Sequence, residues 1–319
     1  MNEKELYKQL CISEPDIPLF LQYWWMEAAS VGKTWDVFVY RSANGEIVAA
    51  MPFQIIKRLG MKFIVQPELT PHGGIWMHPS LLGKNRLHNE KTVFTYFIDR
   101  LDRLRPTAFL MSFHGNLTNW LPFYWRGFEQ TTRYTYVIDD ISNPQAVFDR
   151  FAPYKRGRFR KALKQGAGTR ISTNVDPHQF AQLHRRLIES RRGRHYFTTQ
   201  AVVESVVAAA VERSSGAVVE AVDADGRTLA AIFVVWNSNC GYLLLTADNA
   251  SQNIDATTLA TFEAIKFLSG RTRSFDFEGS MVCGIEHSYR NLGARQTPYF
   301  RITRSYNPIL RMLNIRRLK

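Results

Sequence analysis

Two stretches of the chain carry the same order of apolar and polar positions around the same turn. Ser42-Ala43-Asn44-Gly45-Glu46-Ile47-Val48-Ala49-Ala50-Met51 returns as Asp223-Ala224-Asp225-Gly226-Arg227-Thr228-Leu229-Ala230-Ala231-Ile232, an offset of 226 − 45 = 181 residues. In each copy a β-rich run leads in, 37–40 and 218–222, and Asn-Gly or Asp-Gly supplies the positive φ angles of a tight primed turn. A second strand follows at once. Two such hairpins with the same Ala-Ala pair predict two lobes of similar fold.

The apolar spacing after each hairpin gives a matching order of elements. In the second half, 241–246 reads as a buried strand and 254–268 as a helix with Leu259, Phe262, Ile265 and Phe267 largely on one side. A strand over 274–277, a short helix over 283–292 and a last strand over 299–303 complete it. The first half follows in outline, with helices over 24–29 and 93–104, a strand over 108–113, and 134–138 closing the lobe. Helices are expected between the lobes over 145–165, 177–192 and 200–213, with Asp176-Pro177 and Thr199 as starts. Asp, Ser, Asn and Pro cluster over 139–144 and mark the boundary. The expectation is an α/β (α+β) chain of two tandem lobes, 1–140 and 141–319, each a mixed sheet flanked by helices.

Composition narrows the class. With 45% hydrophobic and 22% charged residues in 319, the chain can bury a sizeable core and is not a disordered polymer. Its 41 basic against 28 acidic residues leave +13, which suits a phosphate-bearing partner: a nucleotide cofactor, a tRNA or an anionic membrane surface touched peripherally. Nothing in the charge pattern points to DNA. Cys11, Cys240 and Cys283 are too few and too far apart for a disulfide framework, and no metal-ligand spacing is present. The start, Met1-Asn2-Glu3-Lys4-Glu5, is polar, and no run of about 18 apolar residues occurs, so a soluble cytoplasmic location is expected.

Five constellations carry candidate chemistry. Within Tyr154-Lys155-Arg156-Gly157-Arg158-Phe159-Arg160-Lys161-Ala162-Leu163-Lys164, helical spacing gathers Phe159, Ala162 and Leu163 on one face and Arg156, Arg160 and Lys164 on another. Such a cationic stripe fits a diphosphate or a nucleic-acid backbone, as well as a solvated surface. In Phe275-Asp276-Phe277-Glu278-Gly279-Ser280-Met281 the two aromatics point one way and the two carboxylates the other, at a strand end where glycine permits a sharp exit. Asp276 or Glu278, desolvated there, would take a proton from an attacking amine; either one would serve equally well as a helix cap or a partner of Arg290. Cys283 and His287 share a helix face, though with no third group to orient them as a nucleophile and base. His72-Gly73-Gly74 reads as a loop lining a cleft. Backbone N–H groups near Asn253, Ala256 and Thr257, at a helix start, would receive phosphate oxygens.

These residues together resemble the Fem-like branch of the GNAT acyltransferase superfamily. The likeness rests on the basic 154–164 helix, the helix through 258–267, Phe275-Asp276-Phe277-Glu278-Gly279-Ser280, and Tyr289-Arg290 followed by Gly293-Ala294. It is strongest over 145–304, and Trp24-Trp25, the first hairpin and Leu69 to Trp76 look like the degenerate first lobe of the same proteins. The resemblance implies two GNAT-like lobes and N-acyl transfer by direct attack. The implied donor is acyl-CoA, most simply acetyl-CoA, and the acceptor an amine on a cell-envelope or amino-sugar precursor in a bacterial cell. Fem-type relatives instead take an aminoacyl group from charged tRNA, and a non-catalytic lobe pair holding a glycan or phospho-ligand is the third reading.

In the Fem pattern a lysine lies near the tetrahedral intermediate, and the matching position here is Arg290. The resemblance thus implies Asp276, Glu278 and Arg290 as catalytic groups. Asn253, Ala256, Thr257, Arg156 and Arg160 become cofactor contacts, and His72, Tyr154, Lys155, Ser280 and Tyr289 acceptor contacts. The glycine-rich phosphate loop of ordinary GNAT enzymes is missing before the 258–267 helix, and Asp255 stands there instead.

Overall fold

The computed structural model describes residues 2–190, 198–249, 255–279 and 281–307. Contacts divide the chain into two units, 1–133 together with 298–319, and 134–297. The N-terminal half contains α1 (Glu3–Ser13), α2 (Tyr23–Ala29), β1 (Thr34–Arg41), β2 (Ile47–Arg58), β3 (Met61–Val65), β4 (Trp76–Met77), α3 (Arg86–Leu104), β5 (Ala108–Ser112), α4 (Leu121–Trp125) and β6 (Glu129–Ile138). There follow α5 (Pro144–Asp149), α6 (Pro153–Lys164), β7 (Gly168–Ser172), α7 (Pro177–Glu189), α8 (Gln200–Glu212), β8 (Gly216–Val222) and β9 (Thr228–Trp236). The last elements are β10 (Cys240–Asp248), α9 (Ala256–Leu268), β11 (Ser274–Asp276), α10 (Cys283–Arg290) and β12 (Arg295–Ser305).

In the first unit the sheet is built by four successive pairings. β1 and β2 run antiparallel with Val39 opposite Ala50, β2 and β3 antiparallel, β3 and β5 parallel with Phe63 opposite Ala108, and β5 and β12 antiparallel with Met111 opposite Ile302. The turn between β1 and β2 places Gly45 at φ +84° but not Asn44, so it is a bulged turn with the Gly45 N–H donating to the Ser42 carbonyl rather than the primed turn expected. Helix α3 connects the two parallel strands, and its Phe94, Phe97, Ile98 and Leu101 pack against Ile64, Phe109, Met111 and Ile302 in one buried cluster.

The second unit repeats the scheme. β8 and β9 are antiparallel with Val219 opposite Ile232, β9 and β10 antiparallel, β10 and β11 parallel with Gly241 opposite Phe275, and β11 and β6 antiparallel with Phe275 opposite Ile138. Gly226 has φ +78° in the equivalent turn, and α9 connects the parallel pair as α3 does. Leu259, Ala260, Ala264, Ile265 and Leu268 of α9 enter the core with Ile232, Val234, Phe275 and Phe277. β7 extends this sheet beside β8.

Several expectations are corrected. The strand at 134–138 pairs in the second unit rather than closing the first, and 301–305 of β12 pairs with β5 in the first rather than ending the second. Strand propensity marks both segments, but which sheet edge receives them depends on contacts far apart in the chain. The helix expected over 145–165 is two, because Pro153 pushes Ala152 out of the helical region, to ψ 144°. Leu163 is exposed, whereas Phe159 and Ala162 of its predicted face do pack inward.

Candidate active site

The site begins where two parallel strands part. Pairing between β10 and β11 stops at Tyr242 opposite Asp276, while β10 runs on to Asp248. Asp276 therefore stands at the fork, with β6 still beside it through Val137 and the Phe277 N–H donating to the Tyr136 carbonyl at 2.9 Å. The chain then turns sharply: Glu278 takes the left-handed region at φ 58°, and a Cβ on Gly279 would lie 2.0 Å from the Tyr134 carbonyl oxygen. Only glycine fits against that strand. The turn brings the Glu278 N–H to 2.8 Å from Asp276 Oδ1, which also accepts from the Thr135 hydroxyl.

The Asp276 carboxyl is buried, and Glu278 is half-buried with its Oε1 enclosed. Desolvation raises Asp276 to about 6 against the two hydrogen bonds that hold it down. Desolvation and then the Asp276 charge push Glu278 well above its ordinary value. Its Oε1 is buried with no hydrogen-bond partner among the described residues. Burial and the same two carboxylates raise Tyr289 to about 12, keeping its phenol protonated, and its ring lies 4.8 Å from Phe277 and 6.1 Å from Tyr136.

A second polar cluster sits at the start of α9. The buried Lys155 Nζ lies 2.8 Å from Asp255 Oδ2, 3.1 Å from Thr258 Oγ1 and 3.3 Å from Ser288 Oγ, so its three protons have three oxygens. Asp255 also caps α9, accepting from the Thr258 N–H at 3.3 Å. Burial works to raise the Asp255 carboxyl, yet the Lys155 charge and these hydrogen bonds hold it below its usual value. The cluster ties α6, α9 and α10 together. Beside it the Tyr154 hydroxyl lies 3.4 Å from His287 Nε2, the two rings stacked.

The remaining expected site residues are dispersed. Arg290 is exposed on α10, and its recorded partners are Glu286 Oε1 at 2.9 Å and His287, not the carboxylate pair. Arg156 donates to the Asp149 carbonyl at 2.8 Å, and Arg160 lies over the Phe148 ring. Ala256 is buried, and the Thr257 hydroxyl points to Asp248. His72 belongs to the first unit, buried against Tyr299 and His114 and pushed down to about 3 by burial and the nearby His114. Asn253 and Ser280 lie outside the described residues. Cys283 is exposed on α10.

Sequence reasoning missed Thr135, Thr258 and Ser288. It had a signal for the burial of Lys155, the cation that falls in helical register with Phe159 and Ala162. Thr135 carried none, because its partner Asp276 is 141 residues away.

Residues 154–289 match the family model described as an acetyltransferase (GNAT) domain. Over that stretch, under half of its length, the chain is similar to GNAT acetyltransferases. The whole fold is that of tandem GNAT proteins. A crystal structure of FemX superposes with TM-score 0.72 at 12% identity, over 98% of each chain. L-PGS from Bacillus licheniformis gives 0.58 at 11% identity, over 92% of this chain and 95% of that one. A tandem GNAT protein from the clavulanic acid biosynthesis pathway gives 0.57 at 13%, over 96% and 97%. No curated protein matches. GNAT domains generally use acyl-CoA. Here the described start of α9 does not fit its diphosphate: the capping position holds the Asp255 carboxylate, and Lys155 has no proton left to offer.

Proposed function

We propose that the second unit transfers an acyl group from an activated donor to an amine, and that Asp276 and Glu278 divide the proton chemistry between them. The observation that carries this is the carboxyl pair at the fork, Asp276 Oδ1 accepting from Thr135 and the Glu278 N–H while the Glu278 Oε1 is enclosed, with burial raising Asp276 to about 6 and Glu278 further above its ordinary value. Two titratable groups pushed apart by their surroundings are suited to opposite roles. Ionised Asp276 accepts the amine proton as the C–N bond forms. The carbonyl oxygen takes up the electron pair and is met by the Glu278 carboxyl, whose Oε1 has no hydrogen-bond partner among the described residues. The oxygen then returns the pair, the bond to the donor's leaving group breaks, and the Tyr289 phenol is the adjacent protonated group to neutralise it. Tyr154 and Lys155 shape the acceptor side, Lys155 as a fixed structural cation. The exposed pairing of Arg290 with Glu286 gives the oxyanion role implied by resemblance no geometric support.

The acceptor class we favour is an amino-sugar or other cell-envelope precursor, in keeping with the Fem-like resemblance. For the donor, the filled α9 start favours aminoacyl-tRNA over acyl-CoA, and the charge of +13 supplies the attraction. Binding of total tRNA and of acetyl-CoA across a salt series distinguishes them. A tRNA donor gives affinity falling steeply with salt; tight, nearly salt-independent acetyl-CoA binding would reverse the choice.

A further inference from the structure

The first unit has a fork of its own, and it has kept a cavity. Pairing between β3 and β5 stops at Val65 opposite Leu110, the step that matches Tyr242 opposite Asp276. Gln66 spans the opening: its Oε1 accepts from the Ser112 N–H at 2.5 Å, and its Nε2 donates to the Thr70 carbonyl at 2.7 Å. The sheet has two unlike faces here. Ile64, Phe109, Met111 and Ile302 are in the core with α3, while their neighbours Phe63, Val65, Leu110, Ser112 and Arg301 line a cavity of about 600 Å³ on the other side. That volume lies within the range of small-molecule sites.

The lining is divided in character. Ile56, Leu59, Met61, Phe63, Val65 and Leu110 make an apolar wall, and Arg133 and Arg301 bring two guanidinium groups to it. Neither arginine has a carboxylate partner among the described residues, in a chain where Arg100, Arg126, Arg295 and Arg304 all do. The Arg133 Nε is buried without a hydrogen-bond partner among the described residues, and burial and the Arg133 charge together lower Arg301. Two mutually repelling, partly desolvated cations beside an apolar wall are completed by an anion attached to a hydrocarbon chain.

We propose that this cavity is a binding site for a single-chain amphiphile, its phosphate or carboxylate head held by Arg133 and Arg301 and its chain lying along Phe63, Val65 and Leu110. The site lies wholly in the first unit and does not depend on the acyl-transfer reading of the second. Residues 308–319, which carry Arg311, Arg316, Arg317 and Lys319, have the wrong charge to satisfy the arginines.

The test is calorimetric titration of the full chain with dodecyl phosphate below its critical micelle concentration. One saturable site is expected, weakened about ten- to a hundredfold in Arg301→Gln and in Arg133→Gln, the worth of a charged hydrogen bond. Leu110→Trp, which fills the cavity without touching the cations, should abolish binding, and circular dichroism checks that each variant is folded. Laurate in place of dodecyl phosphate binding at the same site supports the proposal with a carboxylate head. Equal binding of dodecyl maltoside would overturn it by removing the need for charge, and equal binding of inorganic phosphate would overturn it by removing the need for a chain. Binding that emerges only after residues 308–319 are deleted would give the cavity to the chain's own tail and overturn it too.

Discussion

The two forks are built by the same four strand pairings, yet one ends in carboxylates and the other in leucine and arginine. At the last parallel pair the second unit has Asp276 and the first has Leu110. The ionisable groups at the second fork differ in kind from those the first unit encloses as well. At its fork the second unit raises two carboxyls, Asp276 and Glu278, while the first unit lowers two imidazoles, His72 and His114, as the second does for His184. A duplicated scaffold thus supports a proton-transfer site in one copy and uncharged packing in the other, because the fold fixes where strands part and leaves the residue at that point free to vary.

The largest effect expected is on turnover. Asp276→Asn keeps the shape of the fork and should lower kcat/KM by about a hundredfold to ten-thousandfold, the range of a lost general base. The matching change in the first unit, Leu110→Asn, should weaken amphiphile binding there and lower turnover far less than Asp276→Asn does, since Leu110 has no place in the proton chemistry. Equal losses from both would erase the distinction between the forks.

Next in size is the ion pair at the α9 start. Lys155→Met strands Asp255 in a buried site and should cost about 3–5 kcal/mol in chemical denaturation, whereas Lys155→Met with Asp255→Leu should recover much of it. If the double variant were no better than the single one, the pair would not be coupled.

His72 and Asp276, one in each unit, should also respond oppositely to acid. His72 is lowered to about 3, so it must be charged in the unfolded chain below about pH 6.5 while remaining neutral in the fold. Its contribution is complete above pH 6.5 and is lost as pH falls toward 3, and His72→Phe should flatten that loss in urea titrations. Asp276 is raised to about 6, so its ionisation penalises the fold as pH rises from about 4 to 6. The stability of Asp276→Asn relative to the parent should therefore improve over that window, by up to about 3 kcal/mol. The same slope in both variants would mean that neither group governs its unit.

The smallest effect is expected at Arg290. Its pair with Glu286 is solvent-exposed, so Arg290→Ala should shift stability by less than about 1 kcal/mol. A hundredfold fall in turnover in that variant would return the oxyanion role to Arg290.

The hairpins, most helices and the pair at 276 and 278 were legible because turn chemistry, 3.6-residue spacing and two-residue alternation are local. The Asn-Gly and Asp-Gly turns gave the duplication from ten residues each. What the sequence withheld is non-local: that 134–138 serves the second sheet and 301–305 the first, that Thr135 meets Asp276, and that Lys155 is buried among three oxygens. Arg290 shows the opposite error, since charge and position on the chain suggested a role that its exposed face of α10 does not provide.

The central claim, that ionised Asp276 takes the proton from the acceptor amine, is tested most directly by the pH dependence of kcat/KM in the parent and in Asp276→Asn, using the donor that the binding comparison selects. The parent should gain activity as pH rises through about 6, and Asp276→Asn should be both slow and without that limb. A variant that keeps the parent's rate and its rise near pH 6 would contradict the account.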